Sequence, residues 1–270
     1  PARRGAPALR IGEHGRMRIE QLWRYPVKSL QGEPVAAIDV GSRGLAGDRS
    51  WALLDHATGL TLTARRVPEL LFATGVLDGD GQRPQVHVRL PDGTETDDDG
   101  ALSRWLGRDV ALVAAADDRA GTYEIAVDAE REDTADWVTW TGPTGSFHDS
   151  KRTQVSIIGR ETLRDWSVRR FRPNVVVTGG DEDGLVGRTV TSGSSSLALD
   201  VVKRIDRCVM VTRPQPGGIE RDLDVLRTVN RERDTFLGVG ALVRGTGTVA
   251  VGDELTIAGE IADLGEESLR

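Results

Sequence analysis

The sequence predicts a mainly β protein with short helices, an α+β chain of two units. Three observations predict it. Short alternating apolar runs broken by glycine recur from Met17 onward, and the runs with helical spacing are brief. Between Ala114 and Gly145 the pattern turns polar and aperiodic, which places a unit junction in that stretch. A length of 270 residues suits one large core or two modest ones.

In the first half, residues 19–25, 35–40 and 50–55 read as strands. Thr58-Gly59-Leu60 turns the chain into a fourth at 61–63, and residues 86–90 end on the turn Pro91-Asp92-Gly93. Asp97-Asp98-Asp99 reads as a solvated cap on a helix over 101–106, because three adjacent carboxylates cannot face one ion on any regular element. In the second half, a strand over 154–158 leads into a short helix from Glu161, with Leu163 and Trp166 three apart. Residues 174–178, 196–202 and 208–212 read as strands. Leu223, Leu226 and Val229 define an amphipathic helix over 222–230 with two aspartates in its first turn. Strands over 236–243, 248–251 and 254–257 close the unit. The expected organisation is a disordered leader over 1–16, a β-rich unit over 17–120, a second over 121–262 and a tail over 263–270.

Composition removes several function classes. With 35 basic and 42 acidic residues the chain carries −7, so net charge supplies no affinity for nucleic acid or an anionic membrane, and an anion site must be a local cluster. No run approaches the ~20 apolar residues of a membrane span. The basic leader lacks an apolar core and a cleavage site, which makes cytoplasmic the expected location. A single cysteine excludes an intrachain disulfide and a protein-held iron–sulfur cluster, so redox work needs a separate electron donor. The four histidines are scattered without metal-ligand spacing, no G-x-S-x-G elbow is present, and Gly238-Val239-Gly240 lacks the third glycine of a dinucleotide loop.

Four features join hydrogen-bonding or soft groups to glycine or proline. Tyr25-Pro26-Val27-Lys28-Ser29 ends a strand and presents a cation and a hydroxyl, either as a surface turn or as an oxyanion holder. Gly44 to Trp51 brings Asp48 and Arg49 to a tight turn, as a structural clamp or a ligand site. Arg169-Arg170-Phe171-Arg172-Pro173-Asn174 sets three arginines in four residues, as a solvated turn or a phosphate clamp. Cys208, beside Arg207 and near Arg204, is either a small core hydrophobe or a thiolate ligand favoured by those cations.

In order, Tyr25-Pro26-Val27-Lys28-Ser29, Gly47-Asp48-Arg49, Phe171-Arg172-Pro173-Asn174 and Arg207-Cys208 resemble the stretches that mark the MOSC family, the molybdenum cofactor sulfurase C-terminal domain. The resemblance runs from about Met17 to about Ile257. It implies a β-barrel MOSC domain preceded by a smaller β-rich MOSC N-terminal domain, and a pterin–dithiolene molybdenum cofactor (molybdopterin). It also implies site residues. Lys28, Ser29 and Arg49 would hold the pterin and its phosphate, Arg172 and Asn174 the other side, with Thr153, Ser156 and Arg207 as further contacts. Cys208 would be the metal ligand and catalytic residue. The implied activity is reduction of N-hydroxylated or N-oxide small molecules with a flavin or iron–sulfur electron-transfer partner. The alternative is a non-redox carrier that passes sulfur or cofactor to an acceptor enzyme. Neither a pyridoxal-phosphate domain nor a ferredoxin domain is expected, since the chain is too short for the first and has no cysteines left for the second.

Overall fold

A computed structural model describes residues 16–78, 85–127 and 134–261; the expected tail and all but the last residue of the expected leader lie outside the described residues. Strand β1 (Arg16–Arg24) buries Met17 and Ile19, and a bulge before Gln21 turns Leu22 inward as well. β2 (Glu33–Val35) returns along it, followed by β3 (Ala37–Gly41) and β4 (Gly44–Leu45). The single strand expected over 35–40 is thus two, broken at Ala36, whose carbonyl accepts the Val251 amide.

The N-terminal unit contains β5 (Trp51–Asp55), β6 (Thr74–Asp78), β7 (Gln85–Arg89), β8 (Glu95–Thr96), helix α1 (Asp99–Leu106) and β9 (Val110–Ala114). They enclose Val27, Leu30, Leu53, Leu71, Val88 and Leu102. The Asp98 carboxylate accepts the Ala101 amide at the start of α1, as a cap does. Residues 61–63 do not make the expected strand; they contribute one bridge, from Thr61 to Leu54. The stretch that reads as aperiodic instead holds a hairpin, β10 (Ala120–Ala126) and β11 (Trp137–Thr144). With one partner each, these strands bury few residues completely, so no clean alternation is imposed on them.

The second half supplies β12 (Val155–Gly159), α2 (Arg160–Leu163), α3 (Val168–Phe171), β13 (Val175–Val177), β14 (Arg188–Ser192) and β15 (Ala198–Asp206). Helix α4 (Leu223–Arg233) and β16 (Phe236–Gly245), β17 (Gly247–Ala250) and β18 (Glu254–Glu260) follow. Seven strands close a barrel in the order β13-β12-β16-β15-β14-β18-β1, with β1 pairing back onto β13. Closure leaves no exposed edge in the ring. The N-terminal strand is therefore a stave of the C-terminal barrel, and Met17, Ile19 and Leu22 pack with Val155, Val177, Val201 and Val239.

Two local consequences position the site. β12 and β13 run parallel, so the chain between them must cross over, and it does so through α2 and α3, delivering residues 172–174 to the barrel end. β15 stops at Asp206, and Val209–Thr212 coils into a 3-10 turn in which the Thr212 hydroxyl donates to the Val209 carbonyl. The strand expected over 208–212 is therefore a partly buried turn. A short apolar run does not distinguish the two.

Among the described residues, no helix is long and apolar enough to cross a membrane.

Candidate functional site

The barrel end and the N-terminal unit face each other across a cleft of about 430 Å³. Lys28, Ser29, Arg49, Thr153, Ser156, Arg172, Asn174, Arg207 and Cys208 all line it. Residues spread over 180 positions of sequence thus meet on one surface. The lining includes Lys28, Arg49, Arg65, Arg170, Arg172, Lys203 and Arg207 against the acids Glu124, Asp149 and Asp206. A cationic cleft in an anionic protein is a local arrangement that net charge does not report.

Each cation is fixed differently. The Lys28 ammonium donates to Asp149 Oδ1 at 2.7 Å and to the Phe147 carbonyl at 3.1 Å, and stands 4.2 Å over the Tyr123 ring. Burial lowers its pKa, against the opposing pull of Asp149. Arg49 is ion-paired with the buried Asp48, and Asp48 also accepts the Tyr25 amide at 2.7 Å. Burial opposes the charge of Arg49, yet Asp48 and Asp149 outweigh it and raise its pKa.

Arg207 donates from Nε to the Leu237 carbonyl at 2.7 Å and from Nη1 to the Phe171 carbonyl at 2.9 Å, leaving Nη2 buried without a partner among the described residues. Arg172 occupies the left-handed position that ends α3, with Nη1 likewise buried and unpartnered. Burial lowers both guanidinium pKa values to about 10, which leaves them charged at neutral pH. Arg204 does not join them. It stacks 4.1 Å from the Phe236 ring and reaches toward Asp183, away from the cleft, so of the two arginines expected near the thiol only Arg207 is beside it.

The floor is a closed set of hydrogen bonds. Asn174 Oδ1 accepts from both the amide and the hydroxyl of Ser156, the Ser156 hydroxyl accepts the Asn174 amide, and Asn174 Nδ2 donates to the Trp23 carbonyl. These contacts lock β12, β13 and β1 together at the barrel mouth. Ser29 has a left-handed φ of 67° and accepts the Ala64 amide, leaving its own hydroxyl hydrogen available. Thr153 lies against Gly240, where a Cβ would come within 2.4 Å of its hydroxyl. Cys208 is half-buried, with extended backbone and a free thiol. Among the described residues, no group of three or more His, Cys, Asp or Glu side chains could hold a metal ion, so a metal here must bring further ligands of its own.

Sequence reading missed Tyr123, Trp140, His148, Asp149 and Lys203, which also line the cleft. The Thr-Tyr-Glu-Ile and Trp-Val-Thr-Trp runs have strand composition and could have signalled the hairpin. His148 is buried, and burial with Arg49 beside it lowers its pKa to about 4. Since the folded value lies below the unfolded one near 6.5, the unfolded chain binds the extra proton in between. Stability linked to His148 is therefore present above pH 6.5 and lost as pH falls toward 4, by up to about 3 kcal/mol. We expect His148→Gln to flatten that part of the profile in urea unfolding. An unchanged slope would remove His148 as its source.

Barrel, hairpin and cleft define a two-unit β protein whose inner face carries clustered arginine and lysine. Comparison with known proteins makes the assignment specific. The MOSC N-terminal beta barrel domain matches residues 16–139 and the MOSC domain residues 144–256. The chain belongs to the MOSC family. It is 24% identical over 297 residues to human mitochondrial amidoxime-reducing component 1, covering 90% of this chain and 83% of that protein. It is 36% identical over 67 residues to the molybdenum cofactor sulfurase of Botryotinia fuckeliana, a match to 24% of this chain and 8% of that protein. Among solved structures, the YUAD protein from Bacillus subtilis aligns over 91% of this chain and 97% of its own, with 14% identity and a TM-score of 0.42.

Proposed function

We propose that this chain binds a molybdenum cofactor in the cleft and reduces N-hydroxylated or N-oxide small molecules with electrons from a separate flavin or iron–sulfur protein. The observation that carries the reading is a set of buried donors left over at one cationic surface. Among the described residues, Arg172 Nη1, Arg207 Nη2 and the hydroxyls of Thr63 and Tyr123 are all buried without partners, and all belong to cleft-lining residues. Buried polar groups are rarely left unsatisfied, and a phosphate-bearing pterin rich in acceptors fits such a set. The residues present therefore fit the group.

Lys28, Ser29 and Arg49 hold the pterin and phosphate from the N-terminal unit, while Arg172, Arg207 and the remaining amide hydrogen of Asn174 hold them from the barrel. Thr153 and Ser156 border the same surface, and Cys208 offers the soft ligand that molybdenum favours. The bound cofactor would supply two-electron chemistry, in which an N-hydroxyl group, two electrons and two protons give the N–H compound and water. A cytoplasmic setting suits a lone working thiol, since thiols stay reduced there. The same cleft in a carrier would bind cofactor or sulfur without turning over N-oxygenated substrates.

The test is elemental analysis and turnover of the full chain produced in a cofactor-competent host. Near-stoichiometric molybdenum with reduction of an N-hydroxy compound by a chemical donor is expected. Molybdenum without turnover, together with transfer to an apo-enzyme, would make it a carrier. Absence of molybdenum would sink both readings.

A further inference from the structure

Tyr25 lies just beneath the cleft and touches two of the arginines that line it, Arg49 and Arg172. The residue is 1% exposed, and its ring stacks on Trp23 at 6.4 Å between centroids. The Arg172 guanidinium stands 4.5 Å from the ring centroid and that of Arg49 5.0 Å. These two cations belong to different parts of the fold, Arg49 to the turn before β5 and Arg172 to the end of α3. They also meet each other, since Arg49 Nη2 approaches the Arg172 carbonyl at 3.4 Å.

The contrast between them matters. Arg49 has Asp48 as a salt-bridge partner. Among the described residues, the Arg172 guanidinium has no ion pair and no hydrogen bond; the Tyr25 ring is what it lies against. A guanidinium normally loses rotamer freedom to hydrogen bonds, and here the quadrupole of an aromatic face does that ordering without using a donor. The Tyr25 hydroxyl is itself buried without a partner among the described residues, and the ring rather than the oxygen makes the contact. The ring is fixed in turn. Its amide goes to Asp48, its carbonyl accepts the Arg49 amide at 2.7 Å, and Gly32 sits so close that a Cβ there would lie 2.4 Å from the ring.

We propose that Tyr25 is a positioning residue, a π platform that aligns Arg49 and Arg172 across the junction of the two units so that both face one anionic group. The inference rests on the reading of the cleft as an anion site. It does not require that the anion carry molybdenum. Arg172 depends on the platform most, because it has no other anchor, and the contact leaves its N–H donors unused by the described residues.

The test is inorganic phosphate binding to the full chain by calorimetry, with position 25 varied. Tyr25→Phe is expected to bind within twofold of the parent, and Tyr25→Leu about tenfold more weakly. Tyr25→Leu should add little to Arg172→Met, because both remove the same aligned cation. If Tyr25→Leu fails to melt cooperatively, phenylalanine with one, two and three ring fluorines at position 25 keeps size and burial while draining the ring's negative face. Affinity should then fall stepwise with fluorine number. An affinity independent of fluorination, a loss in Tyr25→Phe as large as in Tyr25→Leu, or no phosphate binding by the parent chain would overturn the proposal. Phosphate bound with this dependence by a chain that takes up no molybdenum would leave it standing and sink the proposed function instead.

Discussion

Cys208→Ala is expected to lower kcat/KM for N-hydroxy substrates at least a thousandfold while unfolding stays cooperative. A thousandfold is about 4 kcal/mol of transition-state stabilisation, more than packing at this position supplies. The thiol is half-buried, in extended backbone that any residue adopts, and the Cys208 carbonyl keeps its bond from the Val211 amide after substitution. Removing one small side chain there costs about 1 kcal/mol of stability. Kinetics and melting must therefore part company. Cys208→Ser sharpens the comparison, since it keeps the size but offers a hard oxygen where the metal favours sulfur. Full activity in the alanine variant would reduce Cys208 to packing and remove the centre of the proposed function.

The same residues show what a sequence can disclose. Both ends of the cleft were legible as motifs because their chemistry depends on neighbours in sequence. Lys28 follows a proline-ended strand, and Arg172 and Asn174 flank a proline that fixes the turn between them. Barrel strands were legible too: burial of one face imposes alternation on β1 and on the start of β15, while β12, buried throughout, reads as a continuous apolar run. The hairpin of β10 and β11 was not, because each strand has a single partner and neither face is wholly buried. Nor could sequence reveal that β1 closes a barrel whose other staves lie more than 130 residues away. Pairing at that distance depends on matching surfaces, not on local pattern. That closure connects to the cleft: the chain leaves β1 at Arg24, and the next four residues set Tyr25 just beneath the cleft and carry Lys28 into its lining.

Lys28→Met should weaken binding of phosphate, and uptake of molybdenum, about a hundredfold or more, with a much smaller effect on folding. Breaking a buried ion pair costs about 3–5 kcal/mol when the abandoned charge stays dry. Asp149 does not stay dry, because its side chain opens onto the cleft with 73% of its surface free. Hydration of that carboxylate brings the folding cost down to about 1–2 kcal/mol. For an anion in the cleft the two consequences add instead of cancelling. The variant loses an attractive charge and uncovers a repulsive one: against the desolvation of the site, Lys28, Arg65 and Arg49 hold Asp149 well below the usual carboxylate range in the parent, and Arg65 and Arg49 remain to favour its ionised form. At about 5 Å and an effective dielectric near 20, each change is worth about 3 kcal/mol before screening. The double variant Lys28→Met/Asp149→Asn should then recover part of the affinity, because it removes the uncovered charge while the cation is still missing. Calorimetry at two salt concentrations checks both points, with the deficit shrinking as salt rises if it is electrostatic. A double variant no better than Lys28→Met alone would mean that the ammonium acts by direct contact and that Asp149 only orients it.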